Sequence, residues 1–421
     1  MKKRIFALLT AAALCTALTG CTKEIQYHNR DRSEETEEAE KPHKFEPYEP
    51  ASVEYGNEKC LEIEQMLLDY FKGGELDADM LADVTELRIF GKECLSVVCG
   101  NDAGTDISYL IDAQDTTTLS HPEFVEYSLD TNQAAIMSMY YYGQARLVTD
   151  LEYCLDNIEF TEYMPKLECL EIPCNYIKDL SPLNKCNRLK YLNLNLSIYI
   201  EDISPLKSCT QLQTLRIAGT TIKDISVLSD LPDLRILNLS ATRVNDLSAL
   251  SDLDHLETLL ISYTDLTDFK QITEIASLKT LDVSATEFDD LSDLNGLDKL
   301  EALQVNDTPI TSLASVTIHL PSLSALYICD CYWEGELEDI SELSSLTSLK
   351  RLAIPWCKIT DISAMAALTN LEELNIRGNK IDDYTPLYGL SNLRELGVVY
   401  DYLTEEQLAA LKEALPQCFE E

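Results

Sequence analysis

Between residues 167 and 398 the pattern Leu-x-x-Leu-x-Leu returns eleven times, opening at Leu167, Leu189, Leu212, Leu234, Leu256, Leu278, Leu300, Leu323, Leu349, Leu371 and Leu393. Seven of the ten steps between these leucines are 22 residues, and the others are 23, 23 and 26. A period this steady restricts the chain to a solenoid in which each repeat is one structural unit stacked on the next. Within a repeat, Leu234-x-x-Leu237-x-Leu239 alternates as a short strand with one buried face. Val244, Leu247 and Leu250 then carry the chain back along the other side of the core, so that one repeat makes one coil.

The return path has its own signals. Asp246-Leu247-Ser248 has counterparts opening at Asp179, Asp202, Asp224, Asp290, Asp339 and Asp361. An aspartate there can accept hydrogen bonds from the backbone entering a short helical turn. Pro182, Pro205 and Pro386 stand where a first helical residue belongs, a position that needs no N–H. A lone coil cannot bury its own leucines, whereas stacked coils share one core. The expected fold class is therefore an α/β solenoid. A parallel sheet lines its concave face, short helical or 3-10 turns its convex side, and caps close both ends.

Leu371-x-x-Leu374-x-Ile376-x-x-Asn379-x-Ile381, together with Ile225-Ser226 leading to Leu228, resembles the bacterial leucine-rich repeat family of internalin type. The resemblance covers a little over half of the chain. It implies a non-catalytic array that binds macromolecules, with host-cell adhesion as one version, and it implies no cofactor. The family's asparagine at the ninth position is kept at Asn175 and Asn379. It is replaced by Thr220, Thr242, Thr264, Thr286 and Thr308 in the middle, and by Cys331 and Cys357 later. All are small side chains able to face the turn backbone.

The N-terminus reads as processing and tethering. Lys2, Lys3 and Arg4 precede an apolar stretch at 5–18, so residues 1–20 are expected to be a secretory signal, too short for a membrane span. Leu18-Thr19-Gly20-Cys21 resembles a lipobox, which implies lipidation of Cys21 and display on the outer face of a bacterial membrane. Residues 21–50 follow as an acidic tether with Glu34, Glu35, Glu37, Glu38 and Glu40 and with Pro42, Pro47 and Pro50. Residues 51–146 are expected to form an N-terminal cap region, with a helix at 58–71, a first strand at Val84-x-x-Leu87-x-Ile89, and a hairpin of 95–99 with 107–111. The repeats span 147–402. A cap helix at 403–421 opens with the capping box Thr404-Glu405-Glu406-Gln407.

Charge narrows the partners. The formal net charge is −40 over 421 residues, carried mainly by the repeats, and such a surface disfavours nucleic acid and adsorption to anionic lipid. Enzymatic chemistry has little to build on: none of the five histidines pairs with a nucleophile at a recognisable spacing, and there is no glycine-rich phosphate loop. The expectation is a monomeric, non-catalytic protein-binding module with no cofactor and no metal. Its partner would be a protein on a host cell or in the bacterial envelope. The alternative is a carbohydrate-binding or enzymatic module at 76–147 carried on the repeats as a platform. Of 14 cysteines, Cys331 and Cys357 fall at the same position of adjacent coils, which leaves either a bridge or reduced core thiols open.

Contact residues are sought where aromatics and arginines gather, because those types dominate interface hot spots. Tyr327, Asp330, Arg351, Trp356, Arg377 and Tyr400 are assigned to the concave face, and Tyr332 and Trp333 to the loop of the 26-residue repeat.

Overall fold

The computed structural model describes residues 81–82, 84–89, 95–99, 155, 157–173, 175–314, 320–329, 337–399 and 403–419. The signal, the tether, the 58–71 helix and the 107–147 segment lie outside the described residues. What is described is one continuous stack of coils. Its thirteen strands form a single sheet in the order β13-β12-β11-β10-β9-β8-β7-β6-β5-β4-β3-β1-β2. Strand β1 (Val84–Ile89) pairs in parallel with β3 (Cys169–Glu171), so the sheet begins well before the regular repeats. Strand β2 (Leu95–Cys99) pairs antiparallel with β1. The 95–99 segment was expected to turn towards 107–111; its described partner is β1.

From β3 onward each coil adds a three-residue strand: β4 (Tyr191–Asn193), β5 (Thr214–Arg216), β6 (Ile236–Asn238), β7 (Thr258–Leu260), β8 (Thr280–Asp282), β9 (Ala302–Gln304), β10 (Ala325–Tyr327), β11 (Arg351–Ala353), β12 (Glu373–Asn375) and β13 (Glu395–Gly397). The register never slips. The central leucines Leu170, Leu192, Leu215 and Leu237 are successive partners, and so on along the stack. All eleven opening leucines are completely buried in one continuous core. At about 1.5–3 kcal/mol each, such side chains supply the main stabilisation, and only the stack can bury them.

The return segments are 3-10 turns, such as Ser181–Lys185, Ser204–Ser208 and Ser363–Ala367. Each expected aspartate takes its role. Asp179, Asp202, Asp224, Asp246, Asp290, Asp339 and Asp361 all accept the N–H of the serine two residues on, at 2.8–2.9 Å. Asp383 does the same for Thr385. These hydrogen bonds hold the carboxyls of Asp224, Asp246, Asp339 and Asp383 below the ordinary carboxylate value. The ninth position is a second ladder. Thr220, Thr242, Thr264, Thr286 and Thr308 donate to the carbonyl three residues earlier, at 2.6–2.8 Å. Asn175 and Asn379 donate in the same way and also accept a backbone N–H from Leu155 and Ile359.

The C-terminal end is closed by α1 (Glu405–Ala414), whose capping box joins Thr404 and Gln407 reciprocally. Leu411 and Leu415 are buried in the common core, and the Gln407 and Gln417 side chains donate to the carbonyls of Asp382 and Leu393. Among the described residues no helix is long and apolar enough to cross a membrane.

Candidate functional site

Side chains outside the core are arranged by the coil in columns, and two columns matter most. The first is the third residue of each strand, on the concave face. Here Asn193, Asn238 and Asn375 accept the N–H of the residue two further on, tying down the strand exit. Asp282 occupies the same place and accepts from Ser284 N–H at 2.9 Å. It is buried, and burial pushes its carboxyl from 3.8 up to about 6 against the opposing pull of hydrogen bonds from Ser284 and Ser262. At the N-terminal end of the column, Glu171 accepts from the Asn193 amide, and the Arg216 guanidinium lies 5.4 Å from the Tyr191 ring centroid.

Tyr327 belongs to this column. Its ring is only 4% exposed, in a small apolar cluster with Ala302, Ala325 and Ala353. Small neighbours on the flanking strands leave the ring room to lie down on the sheet. Arg351 opens the next strand, in register with Glu373 and then Glu395.

The second column is the eighth position of the repeat, just past the strand. Leu196, Gly219, Ala241, Tyr263, Ala285, Asp307, Trp356 and Gly378 all have positive φ, between 52° and 75°. The left-handed backbone aims the N–H along the stack. Leu196 donates to Ala218 O, Gly219 to Ser240 O, Ala241 to Ser262 O, Tyr263 to Ser284 O, Ala285 to Asn306 O, Asp307 to Cys329 O and Trp356 to Arg377 O, at 2.7–3.0 Å. The sheet ladder thus continues beyond the strands. Non-glycine residues in this conformation carry a cost of about 1–2 kcal/mol, which the inter-coil bond offsets.

Glycine suits such a position and two of the eight are glycine, while Ala241 and Ala285 are the smallest of the others. Tyr263 and Trp356 are the large aromatics of the column. They are 39% and 40% exposed, while Leu196, Ala241 and Asp307 in the same column are buried. Trp356 is moreover held in place: its indole lies over Gly378 of the next coil. Arg377 stands between them, partly exposed, and Lys358 and Lys380 are exposed two positions further on in each of these coils.

The sequence-level contact residues therefore divide. Tyr327, Arg351, Trp356 and Arg377 are placed. Tyr327 is packed down on the concave sheet, and Trp356 and Arg377 stand on the rim where the strands end. Asp330, Tyr332, Trp333 and Tyr400 lie outside the described residues. Tyr263 is a further exposed rim aromatic that the contact residues above do not include; an aromatic in a column otherwise rich in glycine and alanine was the available signal. Cys357 is buried, with its Sγ 3.6 Å from Ile328 O, and Cys331 lies outside the described residues. Cys186 and Cys209 are buried reduced thiols on adjacent coils. Burial first, then the neighbouring Cys209, pushes Cys186 up to about 12, and Cys209 is raised to about 11. Among the described residues no group of three or more His, Cys, Asp or Glu side chains is placed to hold a metal.

A family model described as leucine-rich repeats in two copies matches residues 210–253. With the unbroken parallel sheet and its 3-10 returns, that decides the fold. The chain is a leucine-rich repeat solenoid. An internalin, InlF, of Listeria monocytogenes has a similar structure with a TM-score of 0.58 at 22% identity, over 84% of this chain and 93% of that one. A leucine-rich repeat protein of Leptospira interrogans aligns with a TM-score of 0.54 at 20% identity, over 63% of this chain and 69% of that one. Internalin C2 of Listeria monocytogenes is 31% identical over 46% of this chain and 83% of that one, with a TM-score of 0.41. No curated protein sequence gives a significant match. In this leucine-rich repeat solenoid the leucines fill the core and the aspartates order the 3-10 returns, while the concave face and its rim carry the two columns described above.

Proposed function

We propose that this solenoid is a non-catalytic protein-binding module held on the outer face of a bacterial membrane, and that it grips its partner along the rim around Trp356. One observation carries the reading. Two large aromatics, Tyr263 and Trp356, are held in solvent at left-handed backbone positions that favour glycine. The left-handed backbone is shared by the whole column, and what sets these two coils apart is a large aromatic side chain left exposed there. Trp356 is also pre-organised by its seat on Gly378, which limits the entropy lost on binding. The internalin-like fold supports a surface-exposed binding role, and the signal with Cys21 supports a lipid tether.

The test is crosslinking capture from intact cells followed by mass spectrometry, comparing wild type with Trp356→Ala. The variant should lose about 2 kcal/mol of capture while its thermal midpoint stays nearly unchanged. Undiminished capture by the variant would sink the rim assignment. Anchoring is checked separately: Cys21→Ala should release the protein from the membrane fraction.

A further inference from the structure

The rim is not electrically uniform, and the difference falls where Trp356 stands. In the tenth position of the repeat the coils opening at Leu256 and Leu278 carry Asp265 and Glu287, both exposed, whereas the late coils opening at Leu349 and Leu371 carry Lys358 and Lys380 and the earlier coil opening at Leu234 carries a single Arg243. Lys380 N–H donates to Ile359 O, which stitches the two lysine-bearing segments together. Arg377 sits beside them, its carbonyl accepting the Trp356 N–H at 2.7 Å. None of Lys358, Arg377 and Lys380 forms an ion pair among the described residues, in contrast to Lys350, which lies 3.8 Å from Glu372. The nearby acids Asp361 and Asp383 are exposed but each is tied to its own 3-10 turn by accepting a backbone N–H, and Asp382 is exposed beside them. Lys358 and Lys380, both exposed, and partly exposed Arg377 thus belong to the two coils that hold Trp356 and Gly378, on a chain whose net charge is −40.

We propose that this patch, Trp356 with Lys358, Arg377 and Lys380, docks an acidic peptide segment of a partner protein, with carboxylates on the cations and an apolar side chain on the indole. The inference rests on the protein-binding reading above and gives it a chemical class. Charge complementarity selects the occupant. An acidic segment is repelled by the Asp265 and Glu287 stretch of the rim and attracted most where Lys358, Arg377 and Lys380 fall together with Trp356, so the field favours this site. Arg377 supplies a planar donor fork that fits a carboxylate in a bidentate manner, and the tryptophan supplies desolvated area that an anionic polysaccharide would use less well.

The experiment uses the full chain and a fluorescein-labelled peptide of glutamate, leucine and serine. A lysine-for-glutamate version is the control, and sulfated dextran the competing polyanion. Fluorescence anisotropy should show binding of the acidic peptide that weakens with salt. Arg377→Glu with Lys380→Glu should reduce it by about tenfold or more, and Trp356→Ala by a similar factor. The milder pair Arg377→Gln with Lys380→Gln should fall between, with circular dichroism unchanged throughout. Equal binding of the lysine peptide, indifference to the charge reversals, or binding of sulfated dextran without the peptide would each overturn the proposal. Failure here is separable from failure of the parent reading. Capture from cells that depends on Trp356 but ignores the charge reversals rejects the acidic class alone. Capture that ignores Trp356 rejects the rim itself.

Discussion

Trp356 and Gly378 are matched across the coil boundary: a Cβ placed on Gly378 would come within 2.3 Å of the Trp356 Cε3 atom. The glycine also has φ +75°, so it is required twice, once for its backbone and once for the indole above it.

The match can be measured as a coupling. Gly378→Ala should cost about 2–4 kcal/mol in the wild type, from left-handed strain plus the displaced ring. In a Trp356→Ala background the ring is gone, and the cost should fall to about 1 kcal/mol. Urea unfolding of the four proteins gives the cycle. Equal costs in both backgrounds would mean that the indole does not rest on Gly378.

Tyr327 should behave in the opposite way to Trp356. Its ring is buried among Ala302, Ala325 and Ala353, so Tyr327→Ala leaves a hole on the sheet and should cost about 2–4 kcal/mol. Its effect on partner capture should follow from lost folding alone, which thermal unfolding and capture on the same samples would establish.

Asp282 stands where Asn193, Asn238 and Asn375 stand in other coils, and should behave as a mild pH-dependent burden. Its carboxyl is raised to about 6 in the fold, so it holds its proton more tightly native than unfolded. Its favourable contribution is therefore present below the ordinary value of 3.8 and is lost as the pH rises through about 6. Asp282→Asn keeps the acceptor for Ser284 and mimics Asn238. The variant should gain about 1–3 kcal/mol at pH near 8 and little at pH near 4. Melting both proteins across that range checks the sign.

The Cys186 and Cys209 thiols, both buried and raised by burial, should resist alkylation in the native protein and react fully in denaturant. Mass spectrometry after a non-reducing digest would show it. A linked pair of Cys186 and Cys209 peptides would contradict the reduced ladder.

Much of this was legible early because the coil is a local code. The spacing of Leu234, Leu237 and Leu239 set strand, face and register at once, since a slipped strand would turn its leucines outward. The Asp246-Leu247-Ser248 turns and the Thr404 capping box were readable for the same reason, each involving residues two or three apart. The strand at Val84 announced itself by repeating the pattern at a distance from the array. What escaped was anything set by two coils together. Tyr327 and Trp356 look alike in the sequence as aromatics near strands, yet one is flattened by alanines from neighbouring strands and the other is raised by its own backbone.

The sequence alone thus determined the solenoid, its period, its turns and its C-terminal cap. Those follow from hydrophobic spacing and short-range hydrogen bonds, which every coil repeats. Only the tertiary structure decided which side chains outside the core stay exposed. Exposure in a stack depends on what the adjacent coil places alongside: Gly378 beneath Trp356, Ala302 and Ala353 beside Tyr327, and Ser262 beside Asp282. Those contacts are about one repeat apart in the chain and adjacent in space, and the backbone φ that lifts Trp356 is fixed by a hydrogen bond to Arg377 in the following coil.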